Sequence, residues 1–104
     1  MPHFELAYAP QTKQHLRTIE PKYHVLIRKT IEEQLQFEPN VETLNRKPLK
    51  RPVEFGANWE IRFGPQNRFR VFYRVDQERN KVDIVAIGIK IGNRLFIAHE
   101  EVVL

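Results

Sequence analysis

The order of hydrophobic periods along the chain predicts an α+β fold: one short strand, two helices, then a run of hairpin-linked strands. Three observations carry this expectation. Residues 3–8, HFELAY, alternate apolar and polar side chains. Residues 21–37 repeat apolar positions at helical spacing. Beyond residue 58, alternating runs are parted by the turn-forming stretches GPQN, QERN and GNR.

In the first strand Phe4, Leu6 and Tyr8 face one way, against His3, Glu5 and Ala7. After Pro10, residues 12–20 (TKQHLRTIE) suit two turns of helix behind a Thr12 cap. Pro21 fits the first turn of a second helix, where its missing N–H costs nothing. Tyr23, Ile27, Ile31 and Leu35 then form a stripe, with Leu26 and Thr30 beside it and Glu32 and Glu33 off it. Pro39 ends that helix. Residues 38–57 read as an ordered but irregular connector, because Pro48 and Pro52 interrupt regular pairing.

Three strands follow in close succession. In NWEIRFG (58–64), Trp59, Ile61 and Phe63 oppose Glu60 and Arg62. In RFRVFYRVD (68–76), Phe69, Val71, Tyr73 and Val75 make the dry face, leaving Arg68, Arg70, Phe72 and Arg74 on the other. KVDIVAIGIK (81–90) is apolar on both faces, as a central strand is. LFIAHEEVVL (95–104) is expected to be the final strand. The expected architecture is a single domain, 1–104, with two helices on one face of a twisted antiparallel sheet of about four strands beyond the first. The opposite face is expected to be open and to gather Arg62, Arg68, Arg70, Phe72 and Arg74.

Composition narrows the function. A chain of 104 residues and 12.5 kDa has room for one modest core. No run of 18 apolar residues provides a membrane span, and MPHFELAYAP lacks the design of a secretory signal. The absence of cysteine excludes disulfides and thiolate metal sites and fits a reducing cytoplasm. The four glycines are scattered, so no phosphate loop forms. His3, His15, His24 and His99 lack metal-ligand spacing, and His15 and His24 are expected on helix surfaces. The EE pairs at 32–33 and 100–101 point apart. Neither a metal nor a cofactor is expected.

Charge is the informative quantity. Residues 44–81 hold ten Lys/Arg against four Asp/Glu, while the rest of the chain holds seven against nine. A basic half on a slightly acidic domain suggests a polyanionic partner. Arginine offers phosphate a permanently charged, planar fork, and Lys90 could assist. Proton transfer needs a group with a tunable pKa, for which Glu60, Tyr73 and His99 are the neighbouring candidates. Tyr73 falls on the dry face as a core aromatic, and Glu60 is suited to a cross-strand ion pair.

Read together, WEIRFG, RFRVFYRV, VDIVAIGIKIGNRLF and the basic RKPLKRP resemble the RelE/ParE superfamily of bacterial type II toxin–antitoxin modules. The resemblance runs from the IEPKYHVLIRKTIEEQL segment to Phe96. It implies a small barrel-like α+β domain whose open sheet face is functional. It further implies a toxin that cleaves mRNA on the ribosome, or alternatively a ParE-like inhibitor of DNA gyrase, or a degenerate toxin that only binds its cognate antitoxin. By resemblance, Arg70 and Lys90 hold the scissile phosphate with Arg62 assisting, and His99 or Glu60 moves the proton. Lys47, Lys50, Arg51, Arg68, Arg74 and Arg94 contact RNA phosphates, and Phe72 and Phe96 offer platforms for bases. Two departures stand out. Glu60 replaces one of a lysine pair found in mRNA-cleaving members, and Phe96 replaces their catalytic tyrosine.

Overall fold

The computed structural model describes residues 3–50 and 56–103. Strand β1 (Glu5–Tyr8) leads into helix α1 (Thr12–Arg17), a 3₁₀ turn at Pro21–Tyr23 and helix α2 (His24–Leu35). Six strands follow: β2 (Arg46–Pro48), β3 (Trp59–Phe63), β4 (Phe69–Asp76), β5 (Lys81–Ile91), β6 (Arg94–Ile97) and β7 (Glu100–Val102). Among the described residues the sheet thus has seven strands, more than expected. Its order is β2-β3-β4-β5-β6-β7, antiparallel along that path. β1 adds in parallel to the first half of β5, from Glu5↔Lys81 to Tyr8↔Ile84, whereas β6 pairs its last three residues.

Two of the extra strands come from segments read differently in the sequence. β2 lies inside the expected irregular connector. Pro48 is tolerated because it ends a three-residue edge strand. The single final strand is in fact two, β6 and β7, joined at Ala98 and His99, both with positive φ (54° and 67°). That is the backbone of a tight hairpin turn, usually signalled by Asn-Gly, and Ala-His hides it.

The alternation of β3 and β4 holds. Ile61, Phe63, Phe69, Val71 and Tyr73 are buried with Ile27, Ile31 and Leu35 of α2 in the main core, joined by Phe4, Val82, Ile84 and Ile87. The Tyr73 hydroxyl donates to the Pro39 carbonyl at 2.7 Å, and burial raises its pKa. In β5 a bulge between the Phe72↔Ala86 and Tyr73↔Ile84 pairs shifts the register. Ile84 and Ile87 consequently both reach the main core, whereas Val85 and Ala86 turn to the opposite face.

That opposite face is not open throughout. Phe72, expected as an exposed platform, is fully buried with Ala57, Val85, Ala86 and Ile97. Leu49 from beyond β2 and Val102 of β7, at opposite ends of the sheet order, join the same cluster. The sheet therefore curls, and its two edges cover Phe72.

The helices also depart from expectation in places. Leu26 is 38% exposed and lies off the buried stripe. The Thr12 hydroxyl donates to the Ala9 carbonyl at 2.7 Å instead of capping an amide. Neither His15 nor His24 is freely exposed, His24 being half-buried. His24 Nε2 lies 2.8 Å from the Leu16 carbonyl and 2.9 Å from that of Ile19, tying the end of α1 to α2. His15 is buried, and its Nδ1 accepts from the Ile87 amide at 3.2 Å. Burial holds its pKa below the ordinary histidine value.

The linkage has a definite sign. The neutral ring is favoured in the fold, so its contribution is complete above about pH 6.5 and is lost as pH falls through the lowered folded value. His15→Leu is expected to cost about 1–2 kcal/mol at pH 7.5 by orphaning the Ile87 amide. The gap in Tm between variant and wild type should narrow towards pH 5. A gap independent of pH would remove His15 from this role.

Candidate functional site

β2, β3 and β4 bring a buried carboxylate under three cations. Glu60 is 2% exposed, and its Oε1 lies 2.8 Å from Arg62 Nε, 3.8 Å from Arg70 Nη1 and 3.9 Å from Lys47 Nζ. Strand register explains the convergence. Lys47 stands opposite Glu60 across β2–β3, and Arg62 stands opposite Arg70 across β3–β4. Two facing arginines would repel, and the carboxylate between them offsets that repulsion. The Arg70 guanidinium also donates to the Asn67 carbonyl at 3.5 Å. Burial and the neighbouring Arg62 lower its pKa, with Glu60 acting in the opposite sense.

Accessibility divides the cluster into layers. The side chains of Lys47 and Arg62 are 48% and 33% exposed, against 10% for Arg70 and 3% for Glu60. Lys47 and Arg62 therefore meet solvent, Arg70 lies just beneath them with its side chain partly reachable, and Glu60 is their support. Lys90 falls on the same face by the period of two beyond Gly88, the partner of Arg70 in β5. It makes no ion pair among the described residues, and its amide donates to the Arg68 carbonyl at 2.6 Å.

The remaining expected site residues separate. Arg68 precedes β4 and leaves the arginine face. Its guanidinium sits 5.7 Å from the Tyr23 ring centre and 5.8 Å from that of Phe69, on the helix side. Phe96 pairs with Ile89, so it too points to the helix side. With Tyr23, Arg68, Ile89, Ile91 and His99 it lines a cleft of about 380 Å³. Arg94 shares the parity of Phe96 and is exposed. The grouping of Arg68, Phe96 and His99 with Arg70 is thus corrected: a strand boundary and the turn after β6 place them across the sheet.

Arg74 keeps the Arg70 side of β4 but is paired to Asp83 at 3.0 Å. Lys50 is exposed just beyond β2. Arg51 lies outside the described residues. No group of three or more His, Asp or Glu able to hold a metal occurs among the described residues. No helix among them is long and apolar enough to cross a membrane.

Arg46 accounts for part of the basic excess without belonging to the site. It is 4% exposed and donates to the carbonyls of Val41 and Gln34, both at 2.9 Å, locking the end of α2 to β2. The role of Glu60 as a hub was hidden because β2 was hidden. Only its pairing with β3 brings Lys47 to the carboxylate.

No protein-family model matches the sequence, and no curated protein sequence matches it. Among solved structures, a chain of the RelBE2 toxin–antitoxin complex from Mycobacterium tuberculosis is similar, with a TM-score of 0.68. The match covers 85% of this chain and 99% of that one, at 22% sequence identity. The chain shares the fold of that RelBE2 chain. Within this fold, the Glu60 cluster and Lys90 occupy the sheet face opposite the helices, while Phe96 and His99 lie on the helix side.

Proposed function

We propose that the protein is the toxin of a toxin–antitoxin pair and acts by cleaving mRNA on the ribosome. The observation that carries this reading is the net-positive cluster of Lys47, Arg62 and Arg70 around Glu60, with Lys90 on the same face. The RelBE2 likeness supports the toxin role and an antitoxin partner. An acidic antitoxin segment would be held by the same cations that meet RNA.

In the reaction the 2′-oxygen attacks phosphorus and loses its proton, and the bond to the 5′-oxygen breaks as that oxygen gains one. The products are a 2′,3′-cyclic phosphate and a 5′-hydroxyl. Arg62, Arg70 and Lys90 supply stabilisation of the extra negative charge on the phosphorane oxygens. Glu60 is engaged by cations and serves as their support, not as the proton carrier.

Arg70→Ala is expected to reduce growth arrest by about 10²-fold or more while far-UV circular dichroism stays unchanged. Full toxicity in that variant would remove Arg70 from the site. A second reading, a gyrase inhibitor without nuclease activity, is favoured by the position of His99 across the sheet and by Phe96 in place of a tyrosine. Primer extension on mRNA from expressing cells separates the two. Cleavage predicts codon-linked 5′ ends; gyrase inhibition predicts none, with induction of a DNA-damage response.

A further inference from the structure

We propose that Glu60 is a positioning residue that sets Lys47, Arg62 and Arg70 to converge on one phosphodiester group. The proposal rests on the reading of this face as the one that meets RNA, and it concerns what makes the cations a site.

A carboxylate amid cations has two opposed effects on a bound anion. Its charge repels the anion, which weakens binding. Its hydrogen bonds and field fix the cations that would otherwise diverge, which strengthens it. Geometry decides which effect wins. Glu60 is nearly inaccessible, so a phosphate approaching from solvent meets the exposed heads of Lys47 and Arg62 first. Arg62 Nε is held at 2.8 Å, which leaves its terminal nitrogens to reach outward. Arg62 and Arg70 are register partners, and without the carboxylate their like charges would drive the guanidinium groups apart. Lys47, on an edge strand and half-exposed, reaches Glu60 from β2, on the side of β3 opposite Arg70. The three cations thus come from three successive strands and surround one carboxylate oxygen, Arg62 hydrogen-bonded to it and Arg70 and Lys47 at ion-pair distance. They outnumber the carboxylate by two charges, which suits a phosphodiester and the further charge it gains during cleavage.

The test is a titration of purified protein with inorganic phosphate, followed through the Arg62 Nε–H resonance, for wild type, Glu60→Gln, Glu60→Asp and Lys47→Met. Wild type should show saturable binding. Glu60→Gln removes a negative charge, so simple electrostatics demands tighter binding, whereas positioning demands binding weaker by about tenfold. Glu60→Asp keeps the charge one methylene short and should also bind weakly; it decides the matter if the Gln variant does not fold. Lys47→Met should weaken binding several-fold with the amide spectrum otherwise unchanged. Absence of phosphate binding in wild type would overturn the proposal. So would Glu60→Gln or Glu60→Asp binding as tightly as wild type or more so. These outcomes are independent of cleavage. If wild-type protein binds phosphate through Glu60 but expressing cells show no mRNA cuts, the nuclease reading fails and the positioning role stands.

Discussion

Gly64→Ala is expected to destabilise the fold by about 3 kcal/mol or more, lowering Tm by on the order of 15 °C. Gly64 has φ 84° and ψ −177°, a region of backbone space that is essentially reserved for glycine. Space compounds the strain. A Cβ there would stand 2.4 Å from Phe69 Cδ2 and 2.8 Å from Phe69 Cε2. Phe69 cannot give way, because it is fully buried and packs on both Tyr23 and Phe63. The effect should extend to function, since Gly64 opens the turn that delivers Arg68, Phe69 and Arg70 to the sheet. Thermal unfolding of the variant checks the claim, and a loss under about 1 kcal/mol would show that the turn rearranges.

Glu60→Gln is expected to cost about 2 kcal/mol of folding stability. Removing one member of a fully buried ion pair costs about 3–5 kcal/mol because the partner charge is stranded. Here the figure is lowered because Arg62 and Lys47 reach solvent and are partly screened. Arg70 bears most of the loss, being nearly buried and facing Arg62 across the strand pair. Urea unfolding should show the midpoint reduced by about 1 M or more at unchanged slope. High salt should restore part of the difference by screening the Arg62–Arg70 repulsion. An unchanged midpoint would mean that water already screens the cluster.

Much of the scaffold was legible because a period of two leaves no latitude. Once Ile61, Phe63, Phe69, Val71 and Tyr73 must be dry, Glu60, Arg62 and Arg70 must share the opposite face. What escaped depends on contacts between distant parts of the chain. Phe72 has the parity of a surface residue, but Leu49, Ile97 and Val102 cover it, and nothing local announces their arrival. Arg68 looks like part of the arginine series until the strand is seen to begin one residue later. The β5 bulge is invisible in a run that is apolar on both faces. Phe96 was aligned by pattern with a catalytic position, yet its pairing with Ile89 fixes it across the sheet from Arg70. The histidines escaped for a related reason: His15 is buried by β5, more than seventy residues away, and not by its own helix.

The parallel pairing of β1 with β5 has a consequence for synthesis. The most N-terminal strand finds its neighbour only when Lys81–Ile84 has left the ribosome, and the same strand β5 supplies the partner for β4. Helices α1 and α2 are made early but have no completed sheet to cover until then. Contacts of such long sequence separation slow folding. A nascent chain of this design stays without its cation cluster braced against β5 until Lys81–Ile91 has been translated.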